Sequence, residues 1–159
     1  MTVSIDVWRI APDTPHYEAH DLSGKGAEET GGRWNKKGTP MLYTSASRAL
    51  ACLETVVHLD GSNPLPLNRY LVQLLIPLAS WTARTVFKSG DVGWDAEPAG
   101  KVSIDWGTAW AKGKTTLVAE VPSVIVPEER NLLINTRHPD ASKVKATKVR
   151  KWTYDFRLK

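Results

Sequence analysis

Apolar and polar residues alternate along residues 4–10, SIDVWRI, with Ile5, Val7 and Arg9 on one side and Trp8 and Ile10 on the other, the period of a strand. Arg9 interrupts the first of those sides, so it must reach an edge or meet an anion. A short strand around Arg33-Trp34, the turn Asn35-Lys36-Lys37-Gly38 and a second strand over residues 41–44 read as a hairpin, with Pro40 at the start or edge of that second strand. The period then changes. Ala46, Ala49, Leu50, Leu53, Val56 and Val57 follow i, i+3, i+4 spacing and predict a helix of about a dozen residues. Thr44, Ser45 and Ser47 are candidate caps, and Ser45 is the one expected.

Further on, residues 69–77, RYLVQLLIP, form a near-continuous apolar run that predicts a strand buried on both faces. Trp106, Ala109 and Trp110 put a short helix over residues 105–112, with Gly113 as its stop. Strands are expected over residues 115–121 and 152–158, with extended chain at 124–126 and a short apolar run at 132–134. Residues 22–30 and 60–67 read as loops, and residues 80–98 as irregular. Strands and helices mix without regular βαβ alternation. The expected fold is therefore α+β, one compact domain over residues 1–159 with a mixed or antiparallel β core and flanking helices.

Length agrees: 159 residues suffice for one domain with a sizeable core, and 42% hydrophobic and 24% charged residues are ordinary for a globular chain. No stretch approaches the ~20 apolar residues of a membrane helix. The N-terminal MTVSIDVWRI lacks a basic segment followed by an apolar core, so no signal peptide is expected. One cysteine, Cys52, cannot form an internal disulfide, and a reducing cytoplasm is the expected location. Charge is uneven. Residues 137–159 hold eight Lys/Arg against Asp140 and Asp155, a net +6, and the remainder carries −2. Such a segment suits a solvated face, an acidic partner or nucleic acid.

Candidate chemistry concentrates between residues 31 and 59. Gly31-Gly32 permits unusual backbone or close approach of a ligand. Arg33 offers the planar fork that grips phosphate or carboxylate, or else is a surface arginine. Tyr43 ends a strand just before a helix N-terminus, where N–H groups favour anions, or simply packs its ring. Glu54 falls on the shoulder of the apolar stripe beside Leu50 and Leu53. It is either a solvated helix glutamate or a half-buried carboxylate that needs a partner or ligand. His16 and His20 stand at i, i+4, but no further Cys/His cluster joins them and no metal site is expected. GxGxxG, Walker, CxxC, HExxH and GxSxG motifs are all absent, and Ser123 sits in the extended Val-Pro-Ser-Val context.

Taken in order, Trp8-Arg9, Leu22-Ser23-Gly24-Lys25-Gly26-Ala27, Gly31-Gly32-Arg33-Trp34-Asn35, Leu42-Tyr43-Thr44-Ser45 and Ala49-Leu50-Ala51-Cys52-Leu53-Glu54 form one set. Val121-Pro122-Ser123, Asn131-Leu132-Leu133-Ile134-Asn135, His138-Pro139-Asp140 and Asp155-Phe156-Arg157-Leu158 complete it. This ordered set resembles the RES-domain family, the toxin half of a bacterial toxin–antitoxin type, over about the whole chain. Thr136-Arg137 departs from the Asn-Pro more usual before His-Pro.

The resemblance implies a fold similar to ADP-ribosyltransferase toxins and an enzyme that depletes NAD by cleaving its nicotinamide–ribose bond, by hydrolysis or phosphorolysis. Mono-ADP-ribosylation of a protein is the alternative reaction. A nuclease toxin and a non-catalytic binding module are the alternatives outside that chemistry. NAD enters as substrate, with no cofactor. The implied site is Arg9, Arg33, Tyr43, Glu54 and Ser123. Glu54 would stabilise the ribose cation or orient the acceptor, Tyr43 would stack, and Arg9 and Arg33 would hold the pyrophosphate or an attacking phosphate. Ser123 would hydrogen-bond the nicotinamide amide or ribose. The implied partner is a cognate Xre-like antitoxin that blocks the site, in a higher-order complex that touches DNA only through the antitoxin, away from membranes.

Overall fold

The computed structural model describes residues 3–88 and 90–158; Met1, Thr2, Ser89 and the terminal lysine of the basic segment, Lys159, lie outside the described residues. The alternating N-terminal pattern forms β1 (Ser4–Ala11). Residues 22–30, expected as loop, contain the short helix α1 (Lys25–Thr30), entered through the left-handed Gly24. No strand forms at Arg33-Trp34. These residues are the tip of a tight turn closed by a bridge between Gly32 and Asn35, because the Gly31 backbone at φ 70° breaks the extended chain. Next come β2 (Leu42–Ser45) and α2 (Arg48–Val56). The cap of α2 is Ser47, whose Oγ accepts from the Leu50 N–H at 3.1 Å; Ser45 is still in the strand. The helix is nine residues long, shorter than expected, and Val57 is its half-exposed C-cap.

The apolar run becomes β3 (Tyr70–Pro77), followed by α3 (Leu78–Thr82), which runs into residues 80–98, and β4 (Thr85–Val86), which lies within them, although that region was expected to be irregular. Helix α4 (Lys101–Gly113) starts four residues before its expected bound, and β5 (Val118–Pro122) and β6 (Arg130–Ile134) match the apolar runs. The last strand is β7 (Lys145–Lys151), not residues 152–158, which end in a turn of 3-10 helix at Phe156–Leu158. Its sequence KATKVRK shows little alternation because β7 is an edge strand. Lysines and arginines on an edge also discourage pairing with another chain. Lys148 is not a free surface charge: it bonds Asp13 at 2.9 Å and lies over the Tyr70 ring.

All seven strands join one sheet in the order β4-β5-β6-β2-β1-β3-β7, antiparallel except for the β4–β5 pair, so the fold is α+β around a mixed sheet. Strand alternation divides the core. Val7, Leu42, Val72, Leu74, Val118, Leu132 and Ile134 pack on one face. On the other face Trp8, Ile10 and Leu71 pack against Ala51 of α2, and Trp34, Phe87, Trp94 and Leu133 cluster with Trp110 of α4. Trp34 meets Phe87 edge-on at 4.9 Å and Trp106 at 5.6 Å, contacts that add about 0.5–1.5 kcal/mol each beyond burial. Helix α4 approaches this cluster at Gly107, where a Cβ would stand 1.9 Å from the Trp34 carbonyl oxygen.

One joint in the sheet is incomplete. β1 runs eight residues against β3, but pairs with β2 only at Trp8–Ser45. Past that pair the two strands part, and a cavity opens at the gap.

Candidate active site

The cavity has a volume of about 1080 Å³, at the upper end of ordinary small-molecule sites. Arg9 and Ala11 of β1 line one side; Met41, Leu42 and Tyr43 on and before β2 line the other; the Arg33 turn, Glu54 of α2 and Asn131 of β6 also face it. Arg9 and Trp8 are neighbours on a strand and so point to opposite faces of the sheet. Because the sheet is open here, Arg9 from one face and Glu54 from the α2 face reach the same space.

Glu54 lies in the last turn of α2, next to the negative end of the helix dipole, where a carboxylate is disfavoured by about 0.3–1 kcal/mol. Two donors offset this. Ser123 Oγ and Asn131 Nδ2 each donate to Glu54 Oε1 at 2.7 Å. Both bonds end on the same oxygen, and among the described residues Oε2 accepts none. Ser123 is fully buried, and its Oγ accepts from the N–H groups of Ile125 and Val126 at 3.1 Å each. With its lone pairs occupied, its proton is directed at Glu54.

Tyr43 is held at its hydroxyl, which accepts from the Trp34 N–H at 2.9 Å and donates to Asn35 Oδ1 at 2.5 Å. Burial pushes the phenol well above its ordinary pKa, so Tyr43 stays neutral and presents its ring, not a proton, to the cavity. Asn35 is itself buried and donates to the carbonyls of Ala27 and Thr39. This contact needs glycine at 32: a Cβ there would lie 2.7 Å from the Tyr43 hydroxyl and 3.0 Å from Asn35 Oδ1.

The two arginines differ. Arg33 is bound within the protein, donating to the Ala96 carbonyl at 2.7 Å and to Glu97 Oε2 at 2.5 Å, so it pins the loop that forms one cavity wall. The Arg9 Nε is buried with no hydrogen-bond partner, and burial lowers the guanidinium pKa; the nearby Tyr17 and Asp21 side chains offset this in part. All five residues expected from the sequence therefore gather at one place: Arg9, Arg33, Tyr43 and Glu54 line the cavity, and Ser123 stands behind Glu54. Asn131 and Ser45 were not expected there. Both stand in the ordered set that carries the resemblance, but that resemblance implies no role for Asn131 in the site, and the sequence pattern makes Ser45 a helix cap. His16 lies in a bend and His20 in a turn, not on a helix, and among the described residues no group of three His, Cys, Asp or Glu is placed to hold a metal.

Comparison with known proteins identifies the family. The family model described as RES domain matches residues 6–157. A protein of Sphingobium sp. strain YBL2 named "Prs ADP-ribosylating toxin" is 59% identical over 160 residues, covering 99% of this chain and 98% of its own. Proteins named "Toxin Res" from Yersinia enterocolitica and Pseudomonas putida are 37% and 32% identical, covering 77% and 96% of this chain and 79% and 98% of their own. With the family model matching residues 6–157, nearly the whole chain, this chain belongs to the RES domain family.

Proposed function

We propose that this protein is a toxin that cleaves the nicotinamide–ribose bond of NAD and passes the ADP-ribose to a protein acceptor. The observation that carries the reading is one cavity holding both a buried guanidinium without a hydrogen-bond partner at Nε, Arg9, and a carboxylate fixed by two donors, Glu54. The first suits the pyrophosphate of a dinucleotide. The second suits the positive charge that develops on the ribose as its bond to nitrogen breaks.

The electron pair of that bond leaves with nicotinamide, which departs neutral, so no proton donor is required. Glu54 Oε2 faces the ribose cation, and an acceptor lone pair forms the new bond at C1′ while its proton passes to Glu54 or solvent. Stabilisation of this kind is worth ~3 kcal/mol per group. Tyr43 supplies an apolar ring for nicotinamide. Arg33 keeps the wall in place, and binds phosphate only by exchanging Glu97 for it. Transfer to protein is favoured over hydrolysis or phosphorolysis by the name of the Sphingobium relative and by the exposure of Val57 beside Glu54, which opens that end of the cavity to a large acceptor.

The reading extends to a cognate Xre-like antitoxin that covers the cavity mouth, in a higher-order complex reaching DNA through the antitoxin, and to a cytoplasmic site of action. No helix of the described residues is long and apolar enough to cross a membrane. The exposed charges of β7 open to such a partner are Lys145, Arg150 and Lys151, since Lys148 is engaged internally.

Purified protein incubated with adenylate-labelled NAD and a bacterial extract tests the reaction. Label on a protein together with free nicotinamide is the expected result. Nicotinamide release without labelled protein would move the reading to NAD depletion, with dependence on added phosphate separating phosphorolysis from hydrolysis. No release from folded protein in extract would overturn it.

A further inference from the structure

Ser45 and Asn131 face each other in register across β2 and β6, at the end of the pairing nearest α2. Ser45 Oγ donates to Asn131 Oδ1 at 2.7 Å, and Asn131 Nδ2 donates to Glu54 Oε1 at 2.7 Å. A carboxamide has one accepting and one donating end. Turned the other way, Asn131 would set its oxygen against the Glu54 carboxylate and its NH2 against Ser45. Ser45 and Glu54 therefore select the same orientation from opposite sides.

We propose that Asn131, oriented by Ser45, is the positioning residue that sets the carboxylate plane of Glu54 and aims Oε2 into the cavity. Ser123 alone cannot do this. A single donor leaves the carboxylate free to rotate about the hydrogen bond, whereas two donors converging on Oε1 from β6 and from the turn after β5 define a plane. Ser45 is not itself a lining residue of the cavity; it reaches the lining through the Asn131 amide. The backbone pairing of β2 and β6 runs over four residue pairs and does not depend on either side chain.

For its kinetic arm this inference rests on the NAD-cleaving reading. Asn131→Ala should lower kcat for nicotinamide release about 100-fold, the usual effect of losing one preorganised hydrogen-bond donor, with KM for NAD changed by less than about threefold. Ser45→Ala should lower kcat about tenfold in the wild-type background and not at all in Asn131→Ala, because its route to Glu54 is then gone. The isosteric Asn131→Asp places a second carboxylate against Glu54, so the acid limb of the kcat profile should move to higher pH.

A second arm needs no NAD. The side-chain NH2 signals of Asn131 in an ¹⁵N–¹H spectrum should shift in both Ser45→Ala and Glu54→Gln. Additive losses from Ser45→Ala and Asn131→Ala, or unmoved Asn131 amide signals in both spectra, would overturn the inference. Should wild-type protein release no nicotinamide, the NAD reading falls while the spectra still decide this one.

Discussion

The two ends of the cavity solve opposite problems. At the Glu54 end the polar groups other than Glu54 Oε2 are matched inside the protein: Ser45 to Asn131, Asn131 and Ser123 to Glu54 Oε1, and two backbone N–H groups to Ser123. At the Arg9 end a guanidinium Nε is buried with no hydrogen-bond partner, at a cost the fold must carry. The first end is set before substrate arrives, as chemistry requires. The second is completed only by an anion, which is what recognition requires. Stability and function therefore coincide at one end and conflict at the other.

Removing the carboxylate tests the preset end and should have the largest effect. Glu54→Gln keeps the shape, and we expect nicotinamide release, followed by chromatography, to fall about 1000-fold with NAD binding by calorimetry little changed. Arg9→Met tests the other end. NAD affinity should fall about 100-fold, within the range for removing one side of a buried charge pair, while the melting temperature without NAD stays level or rises. A matching loss of stability would erase the contrast between the two ends.

Gly32→Ala probes the ground between them. The added methyl must displace the Tyr43 hydroxyl from Asn35. Thermal melts should show a loss of about 1–3 kcal/mol, and activity should drop about tenfold. Tyr43→Phe, which keeps the ring, should retain more activity than Gly32→Ala if Tyr43 serves by its face alone.

The smallest effect concerns Asp13, which ties the segment after β1 to β7 near Arg9. The Ala19 N–H, and then Lys148, hold its carboxyl below the ordinary aspartate pKa. A carboxyl depressed in the folded state stabilises the protein above its unfolded pKa, and that contribution fades as pH falls through the folded value. Asp13→Asn should therefore melt slightly below wild type at pH 7, and the gap should close as the pH drops below about 3.9. A gap that persists in acid would show that the side-chain bond from the Ala19 N–H matters, not the charge.

Where apolar periodicity was strong, the elements could be read directly: β1, β3 and α2 stand within a few residues of their expected bounds. It failed where burial is one-sided or glycine dominates. β7 buries so little that KATKVRK carries no strand pattern, while the aromatic alternation of residues 152–156 suggested a strand the chain does not form. Helix α1, KGAEET, has no buried residue to give it a period.

The sequence by itself determined the α+β class, the faces of the main strands, and the ordered segments, with Arg9, Arg33, Tyr43, Glu54 and Ser123 among them, that resemble the family whose model matches residues 6–157. Tertiary structure alone decided that β1 and β2 part after one pair, that Arg9 and Glu54 share a cavity from opposite faces, and that Ser45 meets Asn131, 86 positions away. The reason is physical. Local pattern encodes which side of an element is buried, but strand partners and register are long-range choices made by the packing of the whole sheet.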